Sequence, residues 1–123
     1  MIGFSIQLSI DEHPVLFLAL GANGDVARGG SGRLHPAEPD VFQEQTDGTF
    51  FQTVSPLFDQ AWLDLPPLQV LPGQEGPQYG LRLVFICEDC RKEERVEIVY
   101  RYRMETQPPV AIQAFVQGAL DAT

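Results

Sequence analysis

Residues 18–34, LALGANGDVARGGSGRL, carry five glycines in seventeen positions, and glycine-rich loops can cradle phosphates. Read as a phosphate-binding loop, Gly24 and Gly29 have the right spacing. Gly30, however, stands where a lysine should neutralise phosphate charge, and Pro36 blocks the helix that should follow. As a calcium-binding nonapeptide repeat, the aspartate comes one residue early and there is one copy. As a nucleophile elbow, Gly29-Gly30-Ser31 meets Arg33 where its closing glycine belongs. The plainer reading is a hairpin. Asn23-Gly24 between extended runs favours a type I′ turn, with positive φ at both central residues. Arg28 and the run Gly29-Gly30-Ser31-Gly32 then look too flexible for a buried strand, and this marks Arg28, Gly29, Gly30 and Ser31 as a place for a partner to bind.

The second chemical candidate is CEDC, with Cys87 and Cys90 as the chain's two cysteines. Two thiolates are half of a structural zinc site, which takes four ligands. His13 and His35 are available to complete one, but both sit in distant loops. Redox chemistry wants the first cysteine near a helix N-terminus, whereas Cys87 ends a strand and is followed by Glu88 and Asp89. The plainer reading makes Cys87 a core residue and Cys90 a turn residue. Catalytic parts are few. Ser31 with His35 is a conceivable nucleophile–base pair without a positioning context, and the carboxylates are scattered. Arg101 and Arg103 alternate on one strand face, with Arg82 and Glu97 nearby in the same hairpin, so they form either a polar groove for an anionic partner or cross-strand ion pairs.

Whole-chain properties narrow the partners. The net charge of −9 repels a phosphate backbone, so no nucleic-acid partner is expected. The N-terminus lacks the pattern of a signal peptide, and the apolar run 15–20 is far too short to span a bilayer, so no membrane partner and a cytoplasmic location are expected. With 123 residues the chain fits a single domain, 1–123, able to bury a core without a metal or disulfide staple.

The elements that would position these residues follow from periodicity. Ile2, Phe4, Ile6, Leu8 and Ile10 alternate with Gly3, Ser5, Gln7 and Ser9, which predicts a strand with one buried face. VLFLAL predicts a second strand, apolar on both faces and therefore central, with residues 26–28 returning beside it. HPAEPDVFQEQ reads as a polar connection and TDGTFFQTV as a turn plus a short extended piece. Ser55-Pro56 reads as a helix start, and Phe58, Ala61, Trp62 and Leu65 fall on one helical face up to Pro66-Pro67. Trp62 is expected in the core. Residues 66–78 read as a long loop, either functional or mobile, with Tyr79 exposed at its end. YGLRLVFIC and VEIVYRYRM form a hairpin, and ETQPP leads into a final helix capped near Thr106 or Gln107, with Ile112, Phe115, Val116, Ala119 and Leu120 as its stripe.

Three segments carry a resemblance. LGANGDVARGGSG resembles a hairpin written G-A-D-G-x-x-x-R-x-G-x-G in small bacterial proteins; FFQTVSPLFDQAWL resembles their next strand and helix, and METQPPVAIQAFVQGALDAT their proline-led C-terminal helix. Asn23 replaces the motif's aspartate, and CEDC is an addition. That family carries no assigned activity, so the resemblance implies a fold and a bacterial source and adds no catalytic residue.

The expected fold is α+β: an antiparallel sheet of four to five strands packed against two helices, in ββαββα order. The expected function is a non-enzymatic protein-interaction module, immunity-like or regulatory, with a protein partner and no cofactor. Homodimerisation through an exposed strand edge is open to it. The alternatives are a zinc-binding module through Cys87 and Cys90, and a small enzyme with a site beside the glycine-rich hairpin.

Overall fold

A computed structural model describes residues 1–30, 42–87 and 95–123. The chain is α+β. Its strands are β1 (Gly3–Ile10), β2 (His13–Gly21), β3 (Asp25–Gly30), β4 (Phe42–Gln45), β5 (Leu68–Val70), β6 (Tyr79–Ile86) and β7 (Arg95–Tyr102). Helix α1 (Thr49–Val54) and two short 3-10 turns, Ser55–Leu57 and Gln60–Asp64, lie between β4 and β5, and helix α2 (Val110–Ala122) follows β7. The strands form one seven-stranded sheet in the order β4-β3-β2-β1-β6-β7-β5. All neighbours are antiparallel except β5, which runs parallel to β7, so the sheet is mixed and larger than the four to five antiparallel strands expected.

Alternation sorts the side chains onto two faces. Phe4 and Ile6 of β1, Leu16, Leu18 and Leu20 of β2, Leu83 and Phe85 of β6, and Ile98 and Tyr100 of β7 all point to one side and are buried. The helices and 3-10 turns cover that side with Phe51, Val54, Trp62, Ile112, Phe115 and Ala119. Aromatic rings fasten the two layers. Phe115 meets Phe4 edge-on at 4.8 Å and Trp62 edge-on at 5.5 Å, and Phe58 lies 4.8 Å from Phe85. Each such pair adds about 0.5–1.5 kcal/mol beyond the area it buries.

Three local expectations change, each for a local reason. TDGTFFQTV forms helix α1 instead of an extended piece: Gly48 takes φ 89°, and the Asp47 carboxylate accepts the Thr49 N–H at 3.0 Å, which starts the helix. The helix expected over residues 56–65 is two separate 3-10 turns. Asp59 accepts the Ala61 N–H at 2.9 Å and starts a new turn, while Phe58 is extended at ψ 136°, so the backbone does not run through. Phe58 and Trp62 still meet edge-on at 5.7 Å, so their helical spacing serves the core without an α-helix. Residues 66–78 are partly strand and well tied. Val99 donates to the Pro67 carbonyl and Leu71 to the Arg101 carbonyl, each at 2.8 Å, which adds β5 to the sheet. β4 occupies part of what reads as a polar connection.

Helix α2 is the element closest to expectation, although its N-cap is Pro109. Tyr79 is half-buried, stacked on Tyr102 at 5.1 Å and 12°.

Candidate functional site

The glycine stretch turns in a different way from the one expected. The β2–β3 corner closes with the Gly24 N–H donating to the Gly21 carbonyl at 3.0 Å. Asn23 does not take positive φ, whereas Gly24 does, at 98°. This is a type I turn followed by a left-handed glycine bulge, not a type I′ turn centred on Asn23-Gly24. The glycine is fixed by crowding as well as conformation, because a Cβ there would lie 1.8 Å from the Thr46 carbonyl oxygen. The type I′ corner is instead at Asp11 and Glu12, with φ 49° and 68°, joining β1 to β2.

Gly29 and Gly30 belong to β3, paired with Phe17 and Leu16, as a partly buried strand end. Between Leu8 and Ser9 of β1 the β1–β2 register shifts, and Val15 is the extra residue of β2. The Val15 carbonyl is pushed towards β3, and a Cβ on Gly30 would meet its oxygen at 2.1 Å. Gly30, at φ 84°, is what lets the two strands approach. Ser31, Gly32, His35 and Cys90 lie outside the described residues.

Arg28 is turned to the helical side. It pairs with fully buried Leu18, and its Nη1 donates to the Leu120 carbonyl at 3.2 Å and to Thr123 Oγ1 at 3.0 Å. Thr123 Oγ1 in turn donates to the Ala119 carbonyl at 2.8 Å. At the helix C-terminus the guanidinium gives the Leu120 carbonyl a donor and opposes the helix's negative end. The sequence marks Arg28 as a residue for a partner, and the structure gives it an intramolecular one.

Arg103 also has intramolecular work. Its Nη1 donates to the Gly76 carbonyl at 2.8 Å, and Glu105 accepts the Gln74 N–H at 3.0 Å, so the residues just after β7 hold the loop before β6. Arg82 and Glu97 form a two-pronged ion pair, Nε–Oε1 2.9 Å and Nη2–Oε2 2.9 Å. The Arg82 hydrogen bond holds the Glu97 carboxyl below its ordinary range. Arg101 is exposed on the same sheet face as this pair, with Gly80 and Val70 beside it.

Cys87 is buried and disulfide-bonded. A disulfide sulfur is not the thiolate that zinc requires, so in this state Cys87 is no metal ligand. Among the described residues no three His, Cys, Asp or Glu side chains group as a metal site.

What the residue types did not flag is the side of the sheet away from the helices. There Gly3 and Ser5 of β1, Ala19 and Gly21 of β2, and Ala27 and Gly29 of β3 leave little side-chain volume. The result is an open hollow of about 1160 Å³, with Phe17 and Ile86 standing beside it. Phe17 is 41% exposed and Ile86 45%. Leu68 and Val70 of β5 stand on the same side, in register with Val99 and Arg101. VLFLAL reads as a strand covered on both faces. β2 does lie inside the sheet, but Phe17 and Ala19 face no second layer among the described residues. The available signal was the string of small odd-numbered residues, since a strand covered on both sides has large side chains on both.

No family model, curated protein or solved structure matches the chain. No helix among the described residues is long and apolar enough to cross a membrane.

Proposed function

We propose that this chain is a non-enzymatic protein-interaction module, a regulatory or immunity-like partner, and that it binds another protein through the open face of its sheet. One observation carries the reading: among the described residues, four of the eight large apolar side chains that are exposed, Phe17, Leu68, Val70 and Ile86, stand on this one face. Several large apolar side chains exposed on one face mark an interaction surface. Arg82, Arg95 and Arg101 add cationic groups to the same face, in a chain whose net charge is −9. Apolar and aromatic side chains interleaved with arginines are the mixture that protein interfaces carry.

The test is capture from native-host extract with three baits: the natural chain, Ala19→Glu on the open face, and Ala111→Glu at an exposed position of helix α2. A specific partner held by the first and third baits and lost by the second is the expected result. Capture that ignores Ala19→Glu, or no specific capture by any bait, overturns the proposal.

A further inference from the structure

We infer that the protein bound at the open face is a second copy of this chain, in a two-fold dimer whose axis runs along β1; this rests on the reading of that face as the binding surface. β1 is the middle strand, with three strands on either side. A two-fold axis lying in the interface along β1 places β2 of one copy over β6 of the other, and β3 over β7, at the same level along the strands.

The registers fix which residues then meet. Gly21 and Ile86 both pair with Gly3, so Ile86 of each copy comes down on Gly21 of the other, beside the Asn23 side chain, whose Oδ1 lies 2.5 Å from where a Gly21 Cβ would be. Phe17 and Arg82 both pair with Gln7, which sets the Arg82 guanidinium of one copy over the Phe17 ring of the other. Glu97 already holds the edge of that guanidinium, through Nε and Nη2, and leaves its flat face for the ring. One strand further out, Arg95 pairs with Ile86, and the Asp25 Cβ lies 3.7 Å from where a Gly21 Cβ would be, so Arg95 meets Asp25. Each of these contacts joins unlike groups: large with small, cation with ring, cation with anion. On the axis itself β1 meets its own copy with Gly3, Ser5, Gln7 and Ser9, all uncharged and none large and apolar. A self-complementary patch of this kind is what a two-fold interface requires.

The size also fits. With strands about 4.8 Å apart and about 3.3 Å per residue, the sheet face covers roughly 700 Å². A standard interface takes about 800 Å² from each partner. Two twisted sheets pack face to face about 10 Å apart, which leaves room for Ile86 and Arg82 over the small residues opposite.

The experiment is sedimentation equilibrium on the natural chain and four variants, each checked for folding by circular dichroism. The natural chain is expected at twice its 13.7 kDa mass. Phe17→Glu is expected to weaken association by at least about 30-fold. Asp25→Arg and Arg95→Asp should each weaken it, and the double exchange should restore it, because only this axis sets those two residues against each other. A monomer at every soluble concentration overturns the dimer, and so does a dimer indifferent to Phe17→Glu or one not rescued by the double exchange. If the chain is monomeric yet Ala19→Glu still abolishes capture of another protein, the open face remains a binding surface and only the second copy is wrong.

Discussion

Replacing Arg28 with methionine keeps the apolar stem and removes the guanidinium. The change takes two hydrogen bonds from the C-terminal turn of α2, one to the Leu120 carbonyl and one to Thr123 Oγ1. Hydrogen bonds from a charged donor contribute about 1.5–3 kcal/mol, and a cation at a helix C-terminus about 0.3–1 kcal/mol when exposed. The bonds are part-buried, so water replaces some of what is lost, and the expected net cost is about 1.5–2 kcal/mol. At about 2.1 cal/mol/K per residue of unfolding entropy, a chain of 123 residues loses about 4 °C of Tm per kcal/mol, so Tm should fall by about 6–8 °C. Urea unfolding should show a lower midpoint at unchanged slope, and amide exchange should accelerate in the last turn of α2 before the strands. Arg28→Lys should recover part of the loss, because it restores the charge without the second, fixed donor geometry. A midpoint unmoved by Arg28→Met, or faster exchange throughout the sheet with α2 no worse than the rest, would refute the assignment of Arg28 as the clasp of this helix.

Two further outcomes follow from single sites. Glu12 holds φ 68° with a side chain attached, at a corner where glycine fits without strain, so Glu12→Gly should stabilise the fold by about 1 kcal/mol and raise Tm by about 4 °C in a thermal scan. The Glu97 carboxyl titrates below its ordinary value near 4.5 because Arg82 donates to it, so the pair's contribution is complete above about pH 4.5 and disappears as pH falls through the lowered value. Both side chains are more than a third exposed, so a double-mutant cycle of Arg82→Met and Glu97→Gln should give about 0.2–1 kcal/mol at neutral pH and nothing after protonation. A coupling that persists once the Glu97 carboxyl is protonated would contradict the ion-pair origin.

Periodicity read the long elements well because local pattern and tertiary burial agree there. β1 alternates with period two, and α2 carries Ile112, Phe115 and Ala119 at helical spacing, and both do in the fold what their spacing dictates. The segment 46–65 misled because helical spacing is shared by other routes to the same contacts. Phe58 and Trp62 reach the same aromatic cluster through a broken backbone. β5 was hidden because its pairing with β7 is parallel and only three residues long, and no local turn signal announces it. The glycine-rich stretch reads as a chain corner and is one in the fold, although the turn type differs. Arg28 finds a helix end 92 residues away in sequence, which no local pattern encodes. The open face was legible only as a list of small residues, and their meaning depends on which side the helices take.

The position of β1 in the middle of the sheet also bears on how the chain reaches its fold. Its hairpin with β2 needs a two-residue corner, but its other neighbour, β6, pairs Gly3 with Ile86 and Ile10 with Tyr79. A nascent chain that has made β1 to β4 therefore holds β1, whose Phe4 and Ile6 are buried in the finished fold, as a bare edge until β6 emerges. Closing so long a loop is slow, and an unpaired central strand is the part of a folding intermediate that aggregates. Production of this protein is thus expected to be limited less by the stability of the finished fold than by the interval between synthesis of β4 and arrival of β6.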